Sequence, residues 1–184
     1  MNQIKTISTR TITIVALALA LNYVGGTIAL FLRLPIYLDT IGTIFAAVLL
    51  GPIYGAIAGL LNAILSGVTT DLFALYYGPV QIITGFFAGY FLKTRLEGKQ
   101  LFFTTLWISL PGTIIATIIT VVLFGGITSS GSSIIVQVLR GFGLPQVGSV
   151  LLVQAMTDYI DRLVSIVLVL TVTARMNRRL IKKY

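Results

Sequence analysis

Cysteine and histidine are both absent from this chain, and acidic residues are scarce, with five in 184 residues. Without thiols and imidazoles, the sequence offers no disulfide, no cysteine nucleophile, no histidine base and few of the usual ligands of zinc or haem. No nucleophile is paired with a base, and no cluster of acids suits a metal ion. We therefore expect no catalytic residue, no metal and no cofactor on this chain, and a membrane-embedded enzyme is the least favoured function.

Apolar residues dominate what is present, at 57% of the sequence, and the mean hydropathy is +1.00. These values are far above those of soluble domains. Within lipid, backbone polar groups pair only in helices or closed barrels, and long unbroken apolar runs favour helices. We predict an all-α integral membrane protein of the cell (plasma) membrane, in contact with the lipid bilayer.

Six apolar segments predict a six-transmembrane-helix bundle in a single membrane domain covering residues 1–184. Their approximate bounds are 11–32, 36–50, 53–68, 76–92, 101–125 and 148–174. The first segment is long and lacks a small-residue cleavage pattern, so we interpret it as a retained helix and not a signal peptide. The second and third are shorter than the roughly 20 residues that a span needs. They form either one long core helix or a helix hairpin broken at Gly51-Pro52, and the proline favours the hairpin.

Lysine and arginine are distributed unevenly over the predicted connections, which indicates orientation. On a six-span arrangement only Arg33 and Arg140 lie outside, and Arg162 falls within the last span. The remaining basic residues lie on the side of the termini: Lys5, Arg10, Lys93, Arg95, Lys99, Arg175, Arg178, Arg179, Lys182 and Lys183. We predict that both termini are cytoplasmic. We interpret the net charge of +8 as a signal of membrane topology, with basic residues that contact anionic lipid headgroups. We expect no nucleic-acid partner.

The longest connection, residues 126–147, is external in this arrangement and rich in glycine and serine. Its middle, GSSIIVQVLRGFG, contains an apolar stretch that ends at Arg140. The segment is either a short helix at the membrane surface or over a pocket, or a simple connector.

Small residues recur at four-residue spacing, which lets membrane helices approach closely. The stripes comprise Gly55, Gly59, Ala63 and Gly67 in the third segment, and Gly85 and Gly89 in the fourth. We predict that these stripes pack helices within the chain. Ala16 and Ala20 form a similar pair in the first helix, which serves either internal packing or a partner subunit.

The last segment carries a set of polar residues that share one sector of a helix, at 100° per residue. The set comprises Gln154, Asp158, Asp161, Arg162 and Ser165. Because such groups are costly in lipid, we expect them to face the interior. Asp158 and Arg162 are spaced for an i, i+4 ion pair, which leaves Asp161 in need of another partner. Their role is either a structural ion pair, a ligand site or a proton relay.

Other polar and aromatic residues cluster toward the external ends of the predicted helices, where we expect an outward-facing pocket. Tyrosine rings with a few acids and amides suit a flat, polar solute. The alternative is that Tyr37, Tyr76 and Tyr77 belong to the interfacial aromatic belt and that Arg33 is an external anchor. The predicted substrate-binding residues are Arg33, Tyr37, Asp39, Asn62, Asp71, Tyr76, Gln81, Arg140, Gln154, Asp158 and Arg162.

Six short helices, the absence of an ATP-binding motif, the Ala16–Ala20 spacing and the run LPIYLDTIGTIFAAVLLGPIYGAIAGLL together resemble the S components of energy-coupling factor (ECF) transporters. The resemblance covers essentially the whole chain. It implies a subunit that captures a vitamin or related micronutrient near the external surface and then associates with a transmembrane T component and two ATPase subunits. ATP would be hydrolysed by those partners. Ala16 and Ala20 would meet the T component, and residues 33–39 would close over the substrate.

The resemblance leaves the substrate open among cobalamin, pantothenate and a nucleoside-like heterocycle, with a vitamin preferred and cobalamin among the candidates. A competing hypothesis makes the chain a stand-alone secondary transporter coupled to protons, with Asp158, Asp161 and Arg162 as the relay. The two halves of the sequence show no convincing similarity, which weakens the second hypothesis.

Overall fold

A computed structural model describes residues 8–92, 96 and 98–176. Eight helices and no strand occur in these residues. The helices are α1 (Thr9–Phe31), α2 (Ile41–Leu50), α3 (Pro52–Thr69), α4 (Leu72–Tyr76), α5 (Gly78–Phe91), α6 (Lys99–Phe124), α7 (Ser132–Gly141) and α8 (Gln146–Arg175). The all-α prediction is confirmed for this part of the chain. Seven of the basic residues used for orientation lie outside it: Lys5, Lys93, Arg95, Arg178, Arg179, Lys182 and Lys183.

Helix α2 is the centre of the bundle, with nearly all of its residues buried. Helices α1, α3, α5 and α8 pack around it. Its beginning is held by Asn22 of α1, which is fully buried and whose Oδ1 accepts the backbone N–H groups of Gly42 at 2.6 Å and Thr43 at 3.3 Å. The N–H groups at the start of a helix have no partner within that helix, so a buried side-chain acceptor satisfies them here. Asn22 thus anchors α2 to α1.

Helices α2 and α3 form the predicted hairpin at Gly51-Pro52. Gly51 has a φ of 94°, which favours glycine, and Pro52 occupies the first turn of α3, where its missing N–H costs nothing. The glycine stripe of α3 then lies against α5. A Cβ at Gly85 would come within 2.3 Å of the Gly55 carbonyl, so the two helices touch backbone to backbone. The predicted role of these stripes in packing is confirmed.

The outer surface of the bundle is covered by large apolar side chains, among them Leu17, Ile64, Trp107, Ile118 and Leu168. An apolar surface of this extent is unfavourable in water and suits lipid. Helices α1, α3 and α6 are long and apolar enough to cross a membrane. Helix α8, with 30 residues, has a sufficient length as well, and the three charged residues in its middle, Asp158, Asp161 and Arg162, are buried.

Two predicted segments differ from the helices. The second was predicted to begin at residue 36, but residues 32–40 form a non-helical connection and α2 begins at Ile41. The fourth is divided at Tyr77 into the short helix α4 and helix α5. The connection after α6 contains α7, at the position where a short helix was one of two alternatives.

Candidate functional site

A cavity lined by apolar side chains and by several polar ones opens at the end of the bundle where α2 begins. Its walls are the connection of residues 32–40, the end of α3, α4, the first turns of α5, α6, residues 128–131 and the middle of α8. The cavity encloses about 900 Å³, including the open space at its mouth.

The floor of the cavity is the polar sector of α8. Gln154, Asp158 and Arg162 line it, and all three are at most 5% exposed. Helix α6 supports this sector: the Thr113 hydroxyl donates to Asp158 Oδ2 at 2.8 Å, and Gln154 Nε2 donates to Thr120 Oγ1 at 2.7 Å. The prediction that these residues turn inward together is confirmed, since Asp161 and Ser165 are buried as well.

The predicted ion pair between Asp158 and Arg162 is wrong. Arg162 Nη1 instead contacts Asp161 Oδ2 at 2.6 Å, in the only salt bridge among the described residues. The i, i+4 spacing did permit the predicted pair. However, the Asp158 carboxylate accepts a hydrogen bond from Thr113 on α6. Asp161 instead accepts from Thr40 as well as from Arg162.

Asp161 is the anchor of the connection between α1 and α2. Its Oδ1 accepts the backbone N–H groups of Tyr37 at 3.0 Å and Leu38 at 2.6 Å, and its Oδ2 accepts the Thr40 hydroxyl at 2.9 Å. Leu38 has a φ of 54°, a left-handed conformation that is unfavourable for leucine and needs such support. A buried carboxylate on α8 therefore fixes the loop that forms one wall of the cavity.

Asp39 on this loop faces α5. Gln81 Nε2 donates to Asp39 Oδ2 at 2.7 Å, and Asn62 Nδ2 on α3 donates to the Asp39 carbonyl at 3.4 Å. Burial, reinforced by the nearby Asp161 carboxylate and opposed by Arg162, raises the pKa of Asp39 to about 6. Asp39 is thus an acid whose charge responds to pH close to neutrality.

The opposite wall is tied together by Asp71. Its Oδ1 accepts the Phe73 backbone N–H at 3.1 Å and so caps α4, and its Oδ2 accepts the Ser129 hydroxyl at 2.5 Å. At the neighbouring Gly131, a Cβ would lie 2.0 Å from the Arg33 carbonyl oxygen. The connection before α7 therefore packs directly on the loop after α1.

Two tyrosines, one in the residue 32–40 connection and one before α5, contribute to the wall. The Tyr37 hydroxyl contacts Ser132 Oγ at 3.3 Å, and the Tyr77 hydroxyl contacts Thr120 Oγ1 at 2.5 Å. Both residues line the cavity, so they are not simply members of an outer aromatic belt. Their rings present flat apolar surfaces beside the polar floor.

Seven of the predicted binding residues line this cavity: Tyr37, Asp39, Asp71, Gln81, Gln154, Asp158 and Arg162. The other four do not form its wall. Arg33 and Arg140 are exposed, Tyr76 packs edge-on against Phe124, and Asn62 lies behind Asp39. Sequence reasoning missed Thr113, Thr120 and Ser129, because isolated hydroxyl residues in apolar or serine-rich segments carry no distinguishing pattern.

A comparison with known families bears directly on this arrangement. The family model for the ECF transporter substrate-specific component matches residues 10–173. The chain belongs to this family. Searches of curated proteins and of solved structures returned no match. The S component described here is therefore a membrane-embedded, substrate-specific subunit of a transporter.

Proposed function

We propose that this S component captures a small water-soluble vitamin or related micronutrient in the cavity and delivers it inward with a T component and two ATPase subunits. The observation that carries the proposal is a cavity, lined by buried amide and charged side chains, within a bundle whose outer surface is apolar. Burying polar side chains inside a membrane-embedded bundle costs free energy unless they bind a ligand or one another. The proposal makes Tyr37, Asp39, Gln81, Gln154, Asp158 and Arg162 the residues that contact the substrate.

We further propose six membrane crossings, formed by α1, α2, α3, α4 with α5, α6 and α8, with both termini cytoplasmic. One hydrophobic cluster supports this topology, since it gathers Ile14 of α1, Leu50 of α2, Leu92, Leu101 of α6 and Met176 after α8. These positions are the ends of helices far from the cavity. Arg10, Lys99 and Arg175 lie next to them in the chain, as expected of a cytoplasmic side.

The size of the cavity bears on the substrate. The enclosed space is smaller than about 900 Å³, because that value includes open space at the mouth. Cobalamin combines a corrin macrocycle with a nucleotide tail and is far larger than this. Among the compounds that the sequence left open, the cavity therefore favours pantothenate or a nucleoside-like heterocycle over cobalamin.

A ligand screen on the detergent-purified chain tests capture. A substrate that binds only the folded state raises its apparent unfolding temperature. We expect a shift with one compound among the water-soluble vitamins and nucleosides, abolished by Ala74→Trp, which fills the cavity, and retained by Leu72→Trp. Leu72 lies on the exposed side of the same short helix, 62% exposed, so this variant controls for the added indole.

Uptake into liposomes separates this function from that of a stand-alone proton-coupled carrier. The proposal requires that substrate enters only when the T component and the ATPases are present and ATP is supplied. Uptake by the chain alone, driven by a pH gradient, would favour the carrier with Asp158, Asp161 and Arg162 as its relay.

A further inference from the structure

The cavity concentrates the acidic residues of the chain. The sequence contains five acids, of which four are aspartates. Asp39, Asp71 and Asp158 line the cavity, and Asp161 lies directly behind it in contact with Arg162. Arg162 is the one basic side chain in the wall as the structure describes it. Although the net charge of the chain is +8, acidic side chains outnumber basic ones in the wall of this cavity.

These carboxylates differ in how fully the protein satisfies them. Asp161 accepts from the residue 37–40 loop and from Arg162, and Asp71 uses both oxygens, one for α4 and one for Ser129. Asp39 and Asp158 each accept from only one side chain within the described residues, Gln81 and Thr113 respectively, and through Oδ2. Oδ1 of Asp158 is therefore left to accept from a molecule in the cavity, and the Asp39 carboxylate, which also accepts its own backbone N–H, keeps further acceptor capacity.

Arg162 provides a second and independent indication of a ligand. Its side chain is 4% exposed and lines the cavity, yet its Nε, fully buried, has no hydrogen-bond partner. A buried guanidinium N–H without an acceptor is costly. Only Nη1 of the guanidinium has a partner among the described residues, so its other N–H groups are available to an acceptor atom on the ligand where Arg162 lines the cavity. The ligand would supply this acceptor in addition to donors for the two carboxylates.

We infer that the substrate is a small, flat nitrogen heterocycle that bears an amino group or a fixed positive charge, together with one acceptor atom, held between Asp39, Asp158 and Arg162. This inference rests on the proposed capture function and narrows its substrate class. Donors and positive charge compensate the carboxylates, which are otherwise unfavourable in an enclosed site. The rings of Tyr37 and Tyr77 add flat surfaces that attract both aromatic rings and cations.

The same arrangement disfavours an anionic substrate. A carboxylate on the ligand would pair with Arg162 but would face Asp39 and Asp158, and Asp161 already neutralises the guanidinium. Like charges in a poorly solvated site repel strongly. Of the three compounds considered from the sequence, this selects the nucleoside-like heterocycle, with an amino group on its ring, over pantothenate.

Matched pairs of compounds test the inference on the purified full chain by calorimetry. The pairs are cytosine and uracil, pyridoxamine and pyridoxine, and thiamin and oxythiamin, with pantothenate and biotin as anions. We expect the amino-bearing or more positively charged member of at least one pair to bind roughly tenfold or more tightly than its partner, which corresponds to one good charged hydrogen bond. Equal binding within every pair, no binding by any pair, or tighter binding of an anion would overturn the inference.

A matched pair of glutamine substitutions tests for a gain of affinity, which misfolding cannot imitate. Gln154→Glu adds a carboxylate in the cavity, where its neighbours Thr117 and Thr120 are hydroxyl groups able to donate to it. Gln137→Glu adds the same charge on the exposed face of α7, where the amide bonds only to its own helix. We expect Gln154→Glu to raise the affinity for the preferred member of the pair and Gln137→Glu to leave it unchanged.

Loss of affinity completes the test. Asp158→Asn should weaken binding of that compound roughly ten- to a hundredfold, and Asp158→Glu should retain more of the affinity because it keeps the charge. An unchanged affinity in Asp158→Asn together with no gain in Gln154→Glu would remove the electrostatic basis. If a neutral or anionic vitamin binds and Ala74→Trp abolishes its binding, this inference is overturned but the proposed capture function is still supported. If the assembled complex shows no ATP-driven uptake, the result counts against the proposed function itself.

Discussion

At the scale of single residues, the buried aspartates of this protein have different tasks although they lie close together. Asp161 has a structural role, because its two oxygens accept hydrogen bonds from the residue 37–40 loop and from Arg162. Asp158 and Asp39 each keep acceptor capacity toward the cavity. The difference arises from the donors around each carboxylate, and it makes the consequences of their substitution distinct.

Replacing Asp161 with alanine should lower the free energy of unfolding by about 3–5 kcal/mol, because Arg162 is then buried without a counter-charge. Chemical denaturation in detergent measures the change. The double variant Asp161→Ala with Arg162→Met removes both charges and should recover part of the loss. If the single variant is as stable as the parent protein, Asp161 is not the anchor that the geometry indicates.

Acidic pH should weaken binding of an amino-bearing or cationic substrate. The pKa of Asp39 is raised to about 6, so lowering the pH from 7.5 to 5 protonates it and removes one of the charges that attract the ligand. The charged groups that face Asp39 are Asp161 and Arg162 of α8. Calorimetry across this pH range should show a steady loss of affinity, and in Asp39→Asn the residual binding should depend less on pH. Tighter binding at acidic pH would contradict this assignment.

At the scale of helices, close packing through glycine determines how the walls of the cavity are positioned. Helix α3 and helix α5 meet where Gly55 and Gly85 leave no room for a side chain, and this contact sets the distance between Asn62 on α3 and Gln81 on α5. Both side chains donate to Asp39. The small-residue stripes thus affect the site without touching a substrate.

Gly85→Ala should destabilise the bundle by about 1–3 kcal/mol, since the added methyl group collides with the backbone of α3. Gly148→Ala is a suitable control, because nothing lies within 4 Å of a Cβ at that position in α8. Thermal unfolding in detergent measures both variants. Equal stabilities would mean that α3 and α5 separate at little cost.

At the scale of the whole molecule, the bundle is polar within one end and apolar over its outer surface. Ala16 and Ala20 on α1 are exposed, whereas Ala18 of the same helix is buried in the bundle. The AxxxA pair therefore faces away from the protein's own core. This supports its proposed use as the contact with the T component, which requires a face free of internal packing.

Ala16→Trp should impair assembly without affecting substrate capture. We expect recovery of the complex with the T component to fall about tenfold, a loss of about 1.4 kcal/mol in association, while the shift in unfolding temperature on substrate binding is unchanged. Leu17→Trp, on an exposed position one residue along α1, is the control. If both variants assemble equally well, the small-residue face of α1 is not the contact.

The features that could be predicted from the sequence are those that depend on the spacing of residues close together in the chain. The inward sector from Gln154 to Ser165 follows from the helical repeat, and the break at Gly51 follows from the adjoining proline. The partners of Asp161 could not be predicted, because Tyr37 and Leu38 lie more than 120 residues earlier in the chain and contribute backbone groups that leave no pattern. The same applies to Asn22, whose contact with Gly42 depends on how α1 and α2 cross.

The sharing of Asp161 between the loop and Arg162 has a consequence for transport. A ligand that draws the guanidinium toward itself changes how strongly Asp161 holds residues 37–40, so occupancy and loop conformation are thermodynamically linked. Such linkage is reciprocal. If substrate binding makes opening of the loop less favourable by a given factor, then a partner that opens the loop lowers the affinity for substrate by the same factor. In the proposed transport cycle, a subunit that loosened this loop on docking would thereby promote release of the substrate.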